Sequence, residues 1–178
     1  GDKAFGGKLY FGRQASDTAY QLGLSALTGK NDTGGTTDIQ ALDFRVLLEP
    51  EFARGYDYPA RFSWMGEVLF NQREIAPGVS NNANGAWTLV DYQFKPAHHL
   101  GAGAEYTQGR LDKSLTSRAY SAHYSWYYSP HARLQVQARR LDVDGGDSGM
   151  EVLLQWNIVL GAHSERPFLA ILPMDDKM

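Results

Sequence analysis

The segment "GMEVLLQWNIVLGAH", residues 149–163, decides how the rest of the chain is interpreted. One set of alternate residues is wholly apolar: Val152, Leu154, Trp156, Ile158 and Leu160. The residues between them form a mixed set with one carboxylate and two amides: Glu151, Leu153, Gln155, Asn157 and Val159. Because successive side chains of a strand point to opposite faces, this pattern predicts a long strand with one apolar face and one polar face.

The same alternation recurs along nearly the whole chain. Eight further segments show it, near residues 5–11, 20–26, 42–49, 61–71, 90–95, 100–107, 120–128 and 133–139. No segment shows a helical period of about 3.6 residues. The sequence therefore predicts an all-β, antiparallel up-and-down fold with about nine strands visible.

The connections between these segments alternate in length. Short or proline-marked links lie at 14–17, 50–59, 95–99 and 129–132, and longer polar loops lie at 29–37, 74–85, 109–117 and 142–149. Short turns at one end and long loops at the other are typical of a transmembrane β-barrel, with the long loops outside the cell. The strands also reach about nine to eleven residues, which suits a tilted membrane crossing and exceeds the usual soluble strand of about five or six.

Two environments could favour strands with one apolar face. Lipid would contact the apolar faces and a watery lumen the polar ones, and a closed barrel would then be required to pair every backbone group. In a soluble sandwich, the apolar faces would instead meet in one core. Aromatic residues near the predicted strand ends favour the membrane, where such residues lie at the interfaces: Trp87, Tyr106, Tyr120, Trp126 and Tyr128.

Composition excludes several other classes. The 178 residues carry a formal net charge of -3, so no strong basic field indicates a nucleic-acid partner. The chain has no cysteine, which excludes disulfides and thiolate metal sites. It also has no run of about 18 apolar residues that would predict a transmembrane helix.

Three segments resemble a known class of proteins: "LVDYQFKPAHHLGAGAEYTQG" (89–109), "YYSPHARLQVQARRLD" (127–142) and "LLQWNIVLGAHSERPF" (153–168). They resemble the C-terminal part of Gram-negative outer-membrane β-barrels, namely porins and those labelled zinc-regulated or TonB-dependent-like. The resemblance implies a location in the bacterial outer membrane, contact with outer-membrane lipid and insertion by the barrel assembly machinery. No segment resembles a plug domain or an energy-coupling box, which disfavours active uptake.

Charged residues on the predicted polar face are the candidate functional residues. We predict that they line a lumen: Lys8, Asp43, Arg45, Glu67, Asp91, Glu105, Arg133, Arg139 and Glu151. Such residues either tune the ion selectivity of a water-filled channel or form ion pairs that fill a narrow barrel. The sequence thus predicts a porin or channel-type barrel for passive passage of small polar solutes or ions. The alternative is a structural or receptor barrel with a closed lumen that binds a partner or ligand through its extracellular loops.

The histidines and serines suggest other chemistry only weakly. His98, His99, His131 and His163 fall at the predicted periplasmic rim, but adjacent residues of a strand point to opposite faces, which disfavours a zinc site. His123 lies on the predicted lumen face, whereas a phospholipase-like Ser/His site would face lipid. We therefore predict no metal site, no cofactor, no catalytic residue and no enzymatic activity.

Strand parity predicts that this chain is a piece of a larger barrel. Residues 1–163 would form the strands and loops, and residues 164–178 a C-terminal tail. Single-chain bacterial barrels have an even number of strands, whereas about nine are visible here. The first and last strands should therefore pair with strands from other barrel chains or from an N-terminal portion of the same protein.

Overall fold

The described part of the chain forms a single antiparallel sheet. The computed structural model describes residues 3–15, 17–48, 61–109, 115–129 and 132–158. The described residues form nine strands, each hydrogen-bonded to the next in chain order. The strands are β1 Ala4–Gln14, β2 Thr18–Lys30, β3 Thr36–Leu48, β4 Phe62–Ala76, β5 Val79–Lys95, β6 His98–Gln108, β7 Thr116–Ser129, β8 Ala132–Val143 and β9 Gly149–Ile158. This confirms the predicted all-β, up-and-down fold. The described part of the chain contains no helix of the length and apolarity needed to cross a membrane.

The sheet shelters its polar face and exposes its apolar face. We call the face that carries Asp43 the inner face and the face that carries Leu42 the outer face. On the inner face, Gln21 and Asp43 are only 5% and 8% exposed, whereas Leu9 and Leu154 on the outer face are 75% and 72% exposed. A flat sheet would expose both faces alike, so the sheet curves towards its inner face. This polarity is the reverse of that in a soluble sandwich, which buries its apolar faces.

The apolar band of the outer face runs obliquely across the hydrogen-bonded rows. One row of directly paired residues is apolar in the first four strands: Leu9, Leu24, Leu42 and Val68. The same row reaches Arg118 in β7 and Asp142 in β8. In β9 the apolar positions run from Val152 to Ile158, further towards the opposite end of the sheet. The strands are thus staggered and tilted relative to the band, as the wall of a barrel requires.

The two outermost strands each have one unpaired edge. In the described residues, β1 pairs only with β2, and β9 pairs only with β8. Because neighbours alternate in direction, β1 and β9 run the same way and could not close the sheet as an antiparallel pair. Completion by further strands stays a prediction. The predicted tail at 164–178 lies outside the described residues.

One predicted loop was wrong. The segment 74–85 is not a long loop, because β4 continues to Ala76 and β5 begins at Val79. Pro77 and Gly78 form the turn between them, and Gly78 has a φ of 73°, which favours glycine. Residues 79–85 are almost all small or polar, so they show no apolar alternation and look like a loop in the sequence.

The other connections agree with the predicted pattern where they are described. The three remaining polar loops join β2 to β3, β6 to β7 and β8 to β9, at the same end of the sheet as the Pro77–Gly78 turn. We call this the loop end, and the opposite end the turn end. The link at 50–59 lies outside the described residues. That the loop end faces outside the cell stays a prediction.

The aromatic residues divide between the two faces. Tyr106, Tyr120, Trp126 and Tyr128 lie on the outer face, as interfacial residues should. Trp87 was assigned wrongly, because it lies on the inner face and donates its indole N–H to Glu67 Oε2 at 3.1 Å. Its position follows from parity, since Val90 and Tyr92 on the same strand point outwards.

Outer-face aromatic residues concentrate at the turn end. Trp156 on β9 donates its indole N–H to the Tyr128 hydroxyl at 2.5 Å, and Tyr124 hydrogen-bonds to His98 at 2.6 Å. The polar atoms of these rings are therefore satisfied while the ring faces stay exposed, with Trp156 66% exposed. Rings with an apolar body and a polar atom are suited to the membrane–water interface.

Candidate functional site

All nine predicted lumen residues lie on the inner face. Their positions follow from the register: Arg45 shares a hydrogen-bonded row with Arg139 and Glu151, and Asp43 shares the next row with Glu67 and Glu105. Eight of them form a side-chain ion pair or hydrogen bond with another described residue: Lys8, Asp43, Glu67, Asp91, Glu105, Arg133, Arg139 and Glu151. That they line a pore stays a prediction.

Three carboxylates fall in one row of the inner face. Asp43 on β3 is paired directly with Glu67 on β4, Glu67 with Trp87 on β5, and Trp87 with Glu105 on β6. We call these residues the acidic row. Followed in both directions, from Tyr10 to Gly149, the same row contains no basic residue. The row is therefore uniformly acidic or neutral.

The first carboxylate of the acidic row is paired with a lysine two strands away. Lys8 Nζ on β1 lies 2.7 Å from Asp43 Oδ2 on β3. The intervening residue on β2 is Gly23, where a Cβ would lie 2.3 Å from that oxygen. Glycine at this position is thus what allows the aspartate to extend over β2 and reach the lysine.

Arg139 on β8 links two carboxylates of different strands. One guanidinium nitrogen donates to Glu105 Oε2 on β6 at 3.0 Å, and the other donates to Glu151 Oε1 on β9 at 2.9 Å. The planar guanidinium suits such double recognition. The contact with Glu105 passes over β7, where the row of Glu105 holds the small residue Ala119. The Arg139 guanidinium therefore connects β6, β8 and β9, and its two ion pairs extend over four adjacent strands.

Asp91 on β5 bridges two imidazoles. Its Oδ1 lies 2.7 Å from His99 Nδ1 on β6, and its Oδ2 lies 3.0 Å from His123 Nε2 on β7. The His123 side chain is only 8% exposed. Gly101 on β6 sits between Asp91 and His123, and a Cβ there would lie 2.1 Å from His123 Cε1. We call Asp91, His99 and His123 the imidazole cluster.

The imidazole cluster continues towards the turn end through contacts between rings and a guanidinium group. The rings of His99 and Tyr127 are 4.8 Å apart, centre to centre. Arg133 donates to the Tyr127 hydroxyl at 3.3 Å, and its guanidinium carbon lies 5.7 Å from the ring centre. This contact combines a hydrogen bond with a cation–π interaction. Tyr127 and Arg133 therefore connect the imidazole cluster to the turn end of the inner wall.

Sequence reasoning did not find the imidazole cluster. It placed His123 in the lumen and separated His98 from His99 correctly, but it did not pair the strands. The signal was the β5–β6 hairpin, whose turn at residues 96–97 brings Asp91 and His99 onto one face. A bulge between Gln93 and Lys95 sets that register, and a bulge is difficult to infer from one sequence.

The other proposed chemistries find little support in this geometry. In the described part of the chain, no group of three or more His, Cys, Asp or Glu side chains is arranged to hold a metal ion. The predicted rim residues His131 and His163 lie outside the described residues. His123 is bonded to Asp91, and neither Ser121 nor Ser125 forms a described hydrogen bond to it.

At the loop end, the β2–β3 loop is fastened to the end of β4. The Asn31 amide donates to the Glu74 carbonyl at 2.8 Å, and the Thr33 hydroxyl donates to the same oxygen at 3.3 Å. Asp32 forms an ion pair with Arg73. These contacts hold the loop against the protruding β4–β5 hairpin, so this end has a defined shape.

Comparisons with known proteins bear on the fold. No protein-family model matches the chain, and no curated protein matches it. A solved structure described as outer-membrane expressed OmpT of Vibrio cholerae does match, with a TM-score of 0.56 at 14% identity. The match covers 79% of this chain and 46% of that one, so the chain spans less than half of the length of the structure it matches. The similarity shows the fold of an outer-membrane β-barrel protein.

The match also corrects a prediction. The sequence predicted no enzymatic activity, because its histidines and serines indicate catalytic chemistry only weakly. The similarity to the OmpT structure shows a fold, and at 14% identity a shared outer-membrane barrel fold does not separate channels from enzymes. The exclusion of enzymatic activity therefore does not stand.

Proposed function

We propose that this chain forms part of the wall of a bacterial outer-membrane β-barrel, and that its inner face lines a channel for passive passage of small polar solutes or ions. The observation that carries the proposal is the reversed polarity of the sheet. Leu9, Leu154 and Trp156 are largely exposed on the outer face, whereas Gln21 and Asp43 are sheltered on the inner face. Lipid outside and water inside would satisfy both faces.

The outer face supports a partnership with outer-membrane lipid. Its apolar band is oblique, as for tilted strands, and its turn end carries interfacial aromatic residues such as Trp126 and Trp156. A chain of this kind would reach the membrane through the barrel assembly machinery. The unpaired edges of β1 and β9 would be completed by other barrel chains or by an N-terminal portion of the same protein, because unpaired backbone groups are costly in lipid.

The inner-face contacts favour a channel over a filled lumen. Lys8 and Asp43 lie two strands apart, as do Glu105 and Arg139, and so do Asp91 and His123. Each pair therefore lies along the wall and does not extend across the barrel to a distant strand. Side chains held against the wall leave the centre to water, which supports passive passage.

Single-channel recording tests the proposal. The complete native barrel that contains this chain, purified with the strands that complete β1 and β9 and added to planar bilayers, should give stepwise, voltage-independent currents in concentrated salt. Gln137→Trp, on the inner face, should lower the unit conductance because it adds bulk to the lumen. Ala138→Trp is the matched control, since the next residue of β8 faces lipid and should leave the conductance unchanged.

The closed structural or receptor barrel is the other outcome of this experiment. The fastened β2–β3 loop is the observation in its favour, because a shaped loop end could present a binding surface. Folded protein that inserts but never conducts would support that alternative and contradict the channel. Equal effects of the two tryptophans would contradict the assignment of the inner face to the lumen.

A further inference from the structure

The charged groups of the inner wall are segregated, and its carboxylates concentrate in one row. The nine lumen residues comprise five carboxylates and four basic side chains. Three of the five carboxylates belong to the acidic row, which contains no basic residue. Lys8 and Arg139, which offset Asp43 and Glu105, belong to neighbouring rows. A cation moving along this part of the wall would therefore meet consecutive carboxylates.

Glu67 differs from the other two members of the acidic row. Asp43 is paired with Lys8 at 2.7 Å, and Glu105 with Arg139 at 3.0 Å. In the described part of the chain, Glu67 forms no ion pair, and its carboxylate accepts one hydrogen bond, from the Trp87 indole at 3.1 Å. A neutral donor orients the carboxylate without offsetting its charge.

The position of Glu67 adds to this effect. It is directly paired with Asp43 on one side and with Trp87 on the other, in the middle of the acidic row. The Trp87 ring, with which Glu67 is hydrogen-bonded, occupies the wall between Glu67 and Glu105. The carboxylate is therefore held by the Trp87 indole at a defined point in the middle of the acidic row.

We infer that the passage prefers small cations over anions, and that Glu67 is a residue that determines this preference. The inference rests on the proposed channel. Acidic groups along a pore attract cations and repel anions through their Coulomb field, and rows of Asp and Glu are a common basis of cation selectivity. Glu67 contributes most per residue of the acidic row because, among the described residues, no ion pair offsets its charge.

The zero-current potential across a KCl gradient measures this preference without any variant. The wild-type protein should show a higher permeability to K⁺ than to Cl⁻. Glu67→Gln keeps the shape of the side chain and an acceptor for Trp87, and it should lower that permeability ratio about twofold. A unit charge several ångströms from an ion in a water-like dielectric has an effect of about this size.

Two control variants separate charge from shape. Trp87→Phe removes the indole donor but no charge, so it should change the ratio less than Glu67→Gln does. Arg133→Gln removes a positive charge from the same wall and should raise the ratio. Heat-dependent mobility on gels verifies that each variant is folded. If a variant fails this check, the zero-current potential of the wild-type protein still decides whether the passage prefers cations.

Each result has one meaning. Folded protein without conductance would contradict the proposed channel itself. A conducting wild-type protein that favours Cl⁻, or a Glu67→Gln variant with an unchanged ratio, would overturn the cation inference and leave the channel intact. A ratio that falls in Glu67→Gln and rises in Arg133→Gln would support both.

Discussion

The two faces of this sheet impose different demands on the sequence. On the outer face, Val136 and Leu154 are directly paired, and both side chains are exposed. The adjacent residues Gln137 and Leu153 form the corresponding pair on the inner face. The outer face needs only apolar side chains, whereas inner-face groups such as Asp91 need partners at fixed distances. The outer face therefore constrains only the polarity of its side chains, whereas the inner face also constrains the distances between them.

Arginine substitutions should separate the two faces most strongly. Val136→Arg and Leu154→Arg place a charge on the outer face and should each lower the free energy of unfolding by about 2–4 kcal/mol, the cost of arginine at the midplane of a bilayer. Gln137→Arg and Gln155→Arg place the same charge on the inner face of the same strands and should be much milder. Urea titrations of the protein in liposomes measure all four changes.

The assignment of the outer face to lipid and the inner face to water depends on this difference in cost between outer and inner arginines. If the inner and outer substitutions proved equally costly, the outer face would not contact lipid. If the inner substitutions were the more costly, the inner face would be packed against other groups and would not line a watery lumen.

Enlarging one glycine should have the next largest effect. At Gly101, an added Cβ would lie 2.1 Å from His123 Cε1 and 2.8 Å from the Val90 carbonyl oxygen. The imidazole could turn away, but the backbone oxygen could not move without distorting β5. Gly101→Ala should therefore cost about 1–3 kcal/mol, as overpacking usually does. Gly85→Ala is the control, because its nearest neighbour would lie at an ordinary 3.6 Å. Equal stability of the two variants in urea would contradict the geometric account of the inner face.

Alternation made most of the strands predictable, because lipid contact requires it wherever a strand crosses the apolar band. Beyond that band the requirement disappears. Residues 79–84 lie beyond the paired part of β6, so no face of that segment needs to be apolar, and a paired hairpin resembled a loop in the sequence. The position of Trp87 could have been predicted from the parity of β5, since Val90 and Tyr92 already fixed which residues point outwards.

The inner-face contacts were less predictable, because they depend on register across several strands. The nine lumen residues follow from alternation alone. Their partners do not: Lys8 reaches Asp43 only because Gly23 intervenes, and the meeting of Asp91 with His99 depends on the bulge after Gln93. Contacts two strands apart require two correct registers, and a shift of one residue in either would turn the partners to opposite faces.

Substitutions in the imidazole cluster test more strictly whether inner-face groups need partners at fixed distances. Asp91→Ala should cost about 1–3 kcal/mol, because it leaves two imidazoles without their acceptor. In double-mutant cycles, Asp91→Ala and His99→Ala should show a coupling energy of at least about 0.5 kcal/mol. Asp91→Ala and His98→Ala should combine additively, since His98 is the adjacent residue but bonds to Tyr124 on the outer face. Coupling of Asp91 to His98 equal to its coupling to His99 would contradict the assignment of the two faces.

Substitutions in the charged pairs of the inner wall should have the smallest effects on stability. The more buried the pair is, the larger its effect should be. Arg139 meets Glu105 and Glu151, whose side chains are each 47% exposed, so water and salt screen its contacts. Arg139→Gln should cost less than about 1 kcal/mol, as for exposed ion pairs, and the cost should fall further at high salt. Lys8→Gln leaves the Asp43 side chain, only 11% exposed, without its cation, so its cost should be larger and depend less on salt. Urea titrations at low and high salt measure both dependences. Arg139→Gln could instead prove the costlier variant, with a cost that does not fall at high salt. In that case solvent exposure would not determine the stability that these pairs contribute. The inner wall would then contact less water than a channel requires.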